Sequence, residues 1–176
     1  MNKYLLYHLL LIPHFVFSQE SESKIKIKIE VAASYSHTGL NTLVGASVSK
    51  NNNELSIGMR TPVASFSAYN SIPFVGIYLD YNRDVSEKNK INYLVNMHYG
   101  NLFREFNSPL NDTKALFQIH ELYIGYGLRC EIKKLHITNT INYGGYMEKQ
   151  LNFYTNKPTV FFHGGALIKI SLTYAL

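Results

Sequence analysis

Every second residue from 25 to 35 is apolar or aromatic: Ile25, Ile27, Ile29, Val31, Ala33 and Tyr35. Between them stand Lys26, Lys28, Glu30, Ala32, Ser34 and Ser36. A period of two places the two sets on opposite faces of an extended strand and fits no helix. The same pattern returns along the chain, over residues 24–36, 43–50, 54–61, 74–82, 91–99, 116–132, 135–146 and 160–176. Repeated alternation of this kind predicts an all-β chain of eight antiparallel strands, each with one greasy and one polar face. Asn139 alone breaks the apolar face of the seventh segment, between Ile137 and Ile141.

Punctuation between the segments alternates in length. The run Asn51-Asn52-Asn53, the charged stretch 83–90 and Lys133-Lys134 read as shorter turns, whereas 62–73, 100–114 and 148–159 read as long loops. The first connection, around Gly39, is short. Long connections after the third, fifth and seventh strands and shorter ones after the second, fourth and sixth are the pattern of an up-and-down barrel with loops at one end. The upper part of the sixth segment, with Gln118 and His120 on its apolar face, is expected to rise above the membrane.

Lys3, an apolar run to Phe17 and the small Ser18 before Gln19 form a signal-peptide pattern, so residues 1–18 are expected to be removed, leaving a single domain over 19–176. The run is short for a membrane-spanning helix, which makes a retained anchor the lesser reading. No later stretch reaches eighteen consecutive apolar residues, and a barrel's alternating signal escapes hydropathy averages. Cys130 is the single cysteine, so no intrachain disulfide framework exists. A formal charge of +5, without a compact basic patch interleaved with stacking aromatics, gives no sign of nucleic-acid binding. Fourteen tyrosines suit aromatic girdles at membrane interfaces, and equally suit any β-protein.

The last segment keeps its apolar face to the final residue through Ala166, Ile168, Ile170, Leu172, Tyr174 and Leu176. Lys169, Ser171, Tyr174 and Leu176 resemble the closing-strand assembly signal of Gram-negative outer-membrane β-barrels: polar, any, Gly, any, any, hydrophobic, any, hydrophobic. Ser171 stands where that signal usually has Gly, and Leu176 where it usually has Phe. The resemblance, to the small outer-membrane protein A and X domains, implies an eight-stranded transmembrane β-barrel in the cell outer membrane. It also implies outer-membrane lipid and lipopolysaccharide as surroundings, the barrel assembly machinery as a partner in biogenesis, and a monomer.

On this phase the interior receives Lys26, Lys28, Arg60, Arg129 and Lys169 together with Glu30, Asp80, Glu121 and Glu131. Charges in a narrow lumen persist only when paired, so near neutrality predicts a salt-bridged plug in an interior just wide enough for side chains. No catalytic residue, cofactor or metal ligand is assigned. A His-x-Ser pair on one strand face, used by lipid A deacylases of this architecture, is absent. His136-x-Thr138 is the nearest substitute and sits at the short-turn end, while His120 and Glu121 are neighbours facing opposite ways. His37, His98, His120, His136 and His163 stand on separate segments without ligand spacing. The glycines, Gly125-Tyr126-Gly127 and Gly144-Gly145 among them, lack the strand-turn-helix setting of a phosphate loop. The loops carry Phe66, Tyr69, Phe103, Arg104, Phe106, Phe153 and Tyr154, which suit surface binding or an outer girdle.

Three classes remain: a non-enzymatic outer-membrane barrel for envelope structure, adhesion or surface binding; a lipid A-modifying barrel enzyme; and a secreted lipocalin-like carrier. The carrier would turn the apolar faces inward, so Ile27, Ile124 and Ile170 against Lys26, Arg129 and Lys169 decide between it and the other two.

Overall fold

The computed structural model describes residues 25–64, 75–88, 90–107, 114–152 and 157–176; the expected signal peptide lies outside them. Eight strands run in chain order: β1 (Lys26–Ser36), β2 (Gly39–Lys50), β3 (Asn53–Ala64), β4 (Gly76–Lys88), β5 (Ile91–Asn107), β6 (Lys114–Ile132), β7 (Leu135–Asn152) and β8 (Lys157–Ala175). Each pairs antiparallel with its sequence neighbours, and β1 closes on β8, so the sheet is an up-and-down barrel. Closure satisfies both edges of every strand at barrel height, the condition for placing a sheet in lipid.

Burial follows the two-residue period. In β1, Ala32, Ser34 and Ser36 are buried while Ile27, Ile29 and Val31 are exposed. Ile27, Ile124 and Ile170 are 55%, 57% and 52% exposed, whereas Arg129 and Lys169 are 3% and 4% exposed. The carrier reading therefore fails: the apolar faces point out and the charges point in. A barrel with a polar, filled interior and so large an exposed apolar surface spans a lipid bilayer.

Three turns at one end are tight, and each places a residue at positive φ: Asn51 (55°), Lys90 (67°) and Lys133 (56°). At the other end the strands are unequal. β1 to β4 have 11 to 13 residues, but β5 to β8 have 17 to 19. Much of the loops expected over 100–114 and 148–159 is thus hydrogen-bonded hairpin, paired from Asn107 with Lys114 and from Asn152 with Lys157. Likewise β4 runs through the stretch expected as a charged turn, with a register shift between Asp84 and Ser86. About six extra residues per strand add roughly 20 Å of rise along the strand, so half the barrel continues as a wall beyond the rim. Leaving the bilayer removes the need for alternation and keeps the ladder, which is why these extensions carry no period-two signature.

Candidate functional site: the charged lumen

The barrel interior holds four buried cations, Lys28, Arg60, Arg129 and Lys169, and four buried anions, Glu30, Glu54, Asp80 and Glu121, among the described residues. They form three tiers along the axis.

Nearest the tight turns, Glu54 is paired with Lys28 and accepts from Arg129 Nη2 at 2.7 Å. Arg129 Nη1 lies 3.2 Å from Asp84 Oδ2, and its Nε donates to Thr138 Oγ1 at 3.3 Å. In the middle, Lys169 Nζ is paired with Asp80 and donates to Glu30 Oε1 at 2.5 Å. Asp80 Oδ1 also meets His98 Nδ1 at 2.6 Å, and the Lys169 ammonium sits 5.1 Å from the centre of the Tyr78 ring.

At the long-strand end Arg60 pairs with Glu121, and its Nη2 donates to Thr38 Oγ1 at 2.6 Å. Glu121 Oε1 accepts from Ser36 Oγ at 3.1 Å, and His37 Nδ1 lies 3.5 Å from it and 3.2 Å from the Tyr123 hydroxyl. The His37 ring is stacked on Tyr146, whose ring is in turn stacked with His163 at 4.9 Å.

Glycines make room for these large side chains. A Cβ on Gly58 would come within 2.6 Å of the Tyr78 ring, and one on Gly100 within 2.6 Å of Arg60 Nη1. The sequence shows the glycines; only the closed sheet shows which side chain fills the space.

Of the nine charges expected inside, Lys28, Glu30, Arg60, Asp80, Glu121, Arg129 and Lys169 lie buried in the tiers. Lys26 and Glu131 differ: they occupy the rim. Lys26 is the first residue of β1 and is exposed, and Glu131, the penultimate residue of β6, is 44% exposed and 3.2 Å from His136 Nδ1. Inward parity does not give burial where a strand ends. Both line a cavity of about 220 Å³ that opens at this end, with Asp84 and His136. Three participants escape sequence reasoning. Glu54 opens the segment expected over 54–61 and shares its parity with Ser56, Gly58 and Arg60, but at a strand end parity alone does not mark a residue as buried. Asp84 lies in what reads as a turn. His37 precedes Glu121 by 84 residues, and no local pattern joins them.

Within the closing-strand signal, Lys169 and Ser171 face the lumen, while Tyr174 and Leu176 are exposed on the outside. Among the described residues no group of three or more His, Cys, Asp or Glu side chains is arranged to hold a metal ion. Ser36, His37 and Glu121 meet at the end where surface-lipid chemistry would occur. The serine hydroxyl, however, donates to the glutamate, whereas nucleophile activation requires the histidine to stand between them.

No protein-family model and no curated protein matches the sequence. Among solved structures, Neisserial surface protein A superposes with a TM-score of 0.54 at 7% identity, over 89% of this chain and 100% of that one. The N-terminal β-barrel domain of Pseudomonas aeruginosa OprF gives 0.49 at 11% identity, over 88% and 100%. A major outer membrane protein from Thermus thermophilus gives 0.45 at 9% identity, over 86% and 99%. At such identities what is shared is the fold, and the chain has the fold of the small eight-stranded outer-membrane β-barrels.

Proposed function

We propose that this protein is an integral protein of the bacterial cell outer membrane, exported by a cleaved signal peptide and non-enzymatic. In this reading it serves the envelope through structure, adhesion or surface binding at its long-strand end, which faces outward, with its tight turns in the periplasm. The observation that carries the reading is the pairing of all eight buried lumen charges into three tiers that cross the barrel. An interior so tied has its ionic groups committed to one another, which fits a scaffold better than a pore. Outer-membrane lipid and lipopolysaccharide are its surroundings and the barrel assembly machinery its partner in biogenesis.

A lipid A-modifying enzyme is the second reading, favoured by Ser36, His37 and Glu121 meeting near the outer rim. Fractionation with heat-modifiable gel migration tests the location, and release by osmotic shock would remove both readings. Mass spectra of lipid A from cells with and without the protein divide them: an unchanged acylation pattern is expected, and a protein-dependent shift that Ser36→Ala abolishes would install the enzyme instead.

A further inference from the structure

Among the described residues, the greasy face of β7 carries a carboxamide amid aliphatic side chains. Asn139 points outward from β7 and is exposed, between Ile137 and Ile141 along its strand and beside Leu128 and Ile170 on the neighbouring strands. All four neighbours are exposed apolar residues, and the Asn139 amide has no hydrogen-bond partner among the described residues. Two other polar residues on the outer surface are bonded within the chain: Thr42 donates to the Thr61 carbonyl, and His120 Nδ1 meets the Tyr99 hydroxyl at 2.8 Å. An amide left unpaired in hydrocarbon is costly, and polar groups at this depth ordinarily find a partner.

The surface around it is uneven. Tyr126 and Tyr143, at 76% and 70% exposure, stand out from β6 and β7 on the same face. Next to them the surface falls away at Ala166 and at Gly145, which pairs with Gly164. Knobs beside hollows, with a group that both donates and accepts at the centre, make a surface complementary to itself.

We propose that this face of β6, β7 and β8 is the interface of a two-fold homodimer in the membrane. The Asn139 amides of the two copies bond across the axis, and Tyr126 and Tyr143 of each copy pack over the small residues of the other. A symmetric contact satisfies both amides at once, which neither acyl chains nor a monomer can do. This departs from the monomer that the family resemblance implies. The inference rests on the membrane reading above: a protein released by osmotic shock sinks both, whereas a membrane-embedded monomer sinks this one alone.

The test uses the full chain, exported and extracted in mild detergent, with heat-modifiable migration establishing that each variant is folded. Sedimentation equilibrium should find a dimer, and Asn139→Leu should weaken association about tenfold or more, the worth of the symmetry-related pair of hydrogen bonds that it removes. In membranes, a Cys130→Ser, Asn139→Cys variant should form a disulfide-linked dimer under mild oxidant. Val44→Cys in the same Cys130→Ser background, on the opposite wall, should not. Wild-type protein that stays monomeric at every protein-to-detergent ratio would overturn the proposal. So would undiminished association of Asn139→Leu, or cross-linking through position 44 as efficient as through 139.

Discussion

The middle tier of the lumen hangs on one ammonium, which makes Lys169→Met its most informative perturbation. Methionine keeps most of the stem and its packing, so the change removes the charge and little else. Glu30 and Asp80, at 3% and 0% exposure, would lose their shared cation, and Asp80 would keep only His98. Stranding one buried charge costs about 3–5 kcal/mol. The contact of the ammonium with the Tyr78 ring adds about 1 kcal/mol, which puts the loss toward the upper end of that range. The assay is equilibrium urea unfolding in lipid vesicles, followed by tyrosine fluorescence because the chain has no tryptophan, with gel migration as the second probe. Lys169→Met combined with Glu30→Gln and Asp80→Asn removes the stranded charges and should return most of the loss, giving a coupling of about 2–3 kcal/mol. A single variant within about 1 kcal/mol of wild type, or a triple variant as unstable as the single, would refute the idea that the tier works by mutual neutralisation.

Three further outcomes follow from the same geometry. Gly58→Ala should be far more damaging than Gly100→Ala in refolding yield and urea midpoint, because the new methyl meets Gly45 backbone and the Tyr78 ring in the first case but chiefly the movable ends of Arg60, Glu121 and His98 in the second. Arg129→Lys should lower unfolding free energy by about 1–3 kcal/mol, since one ammonium cannot replace a guanidinium that reaches Glu54, Asp84 and Thr138 together. Val44→Arg should cost about 2–4 kcal/mol in vesicles if that strand face meets acyl chains at mid-depth, and a negligible effect would place the face in water.

Which way each side chain points was legible in the residues themselves, because parity survives without knowing any partner: Ile27, Ile124 and Ile170 share one phase with their strands, and Arg129 and Lys169 the other. Strand length was not. The stretch Phe103-Arg104-Glu105-Phe106 and the adjacent Phe161-Phe162 show no alternation, yet β5 and β8 pass through them, held by a backbone ladder that composition does not report. Charge partners were also hidden, because they depend on closure: Lys169 reaches Glu30 across 139 residues and Asp80 across 89.

That dependence assigns the charges a part in specifying the fold. Sliding β8 along β1 by one residue would turn every apolar side chain inward, and lipid alone forbids it. A slide by two residues keeps Ile168, Ile170 and Leu172 in lipid and all the parities intact, so hydrophobicity cannot distinguish it from the native pairing of Val31 with Leu172 and Ser34 with Lys169. What distinguishes it is the lumen: two residues of travel move the Lys169 ammonium by about 6–7 Å along the strand, away from Glu30 and Asp80. Each carboxylate would then be buried without a cation, at a penalty of several kcal/mol that the outer surface cannot offset. The apolar faces therefore decide that the chain enters a bilayer, and the three ion-pair tiers select the register in which the barrel closes there.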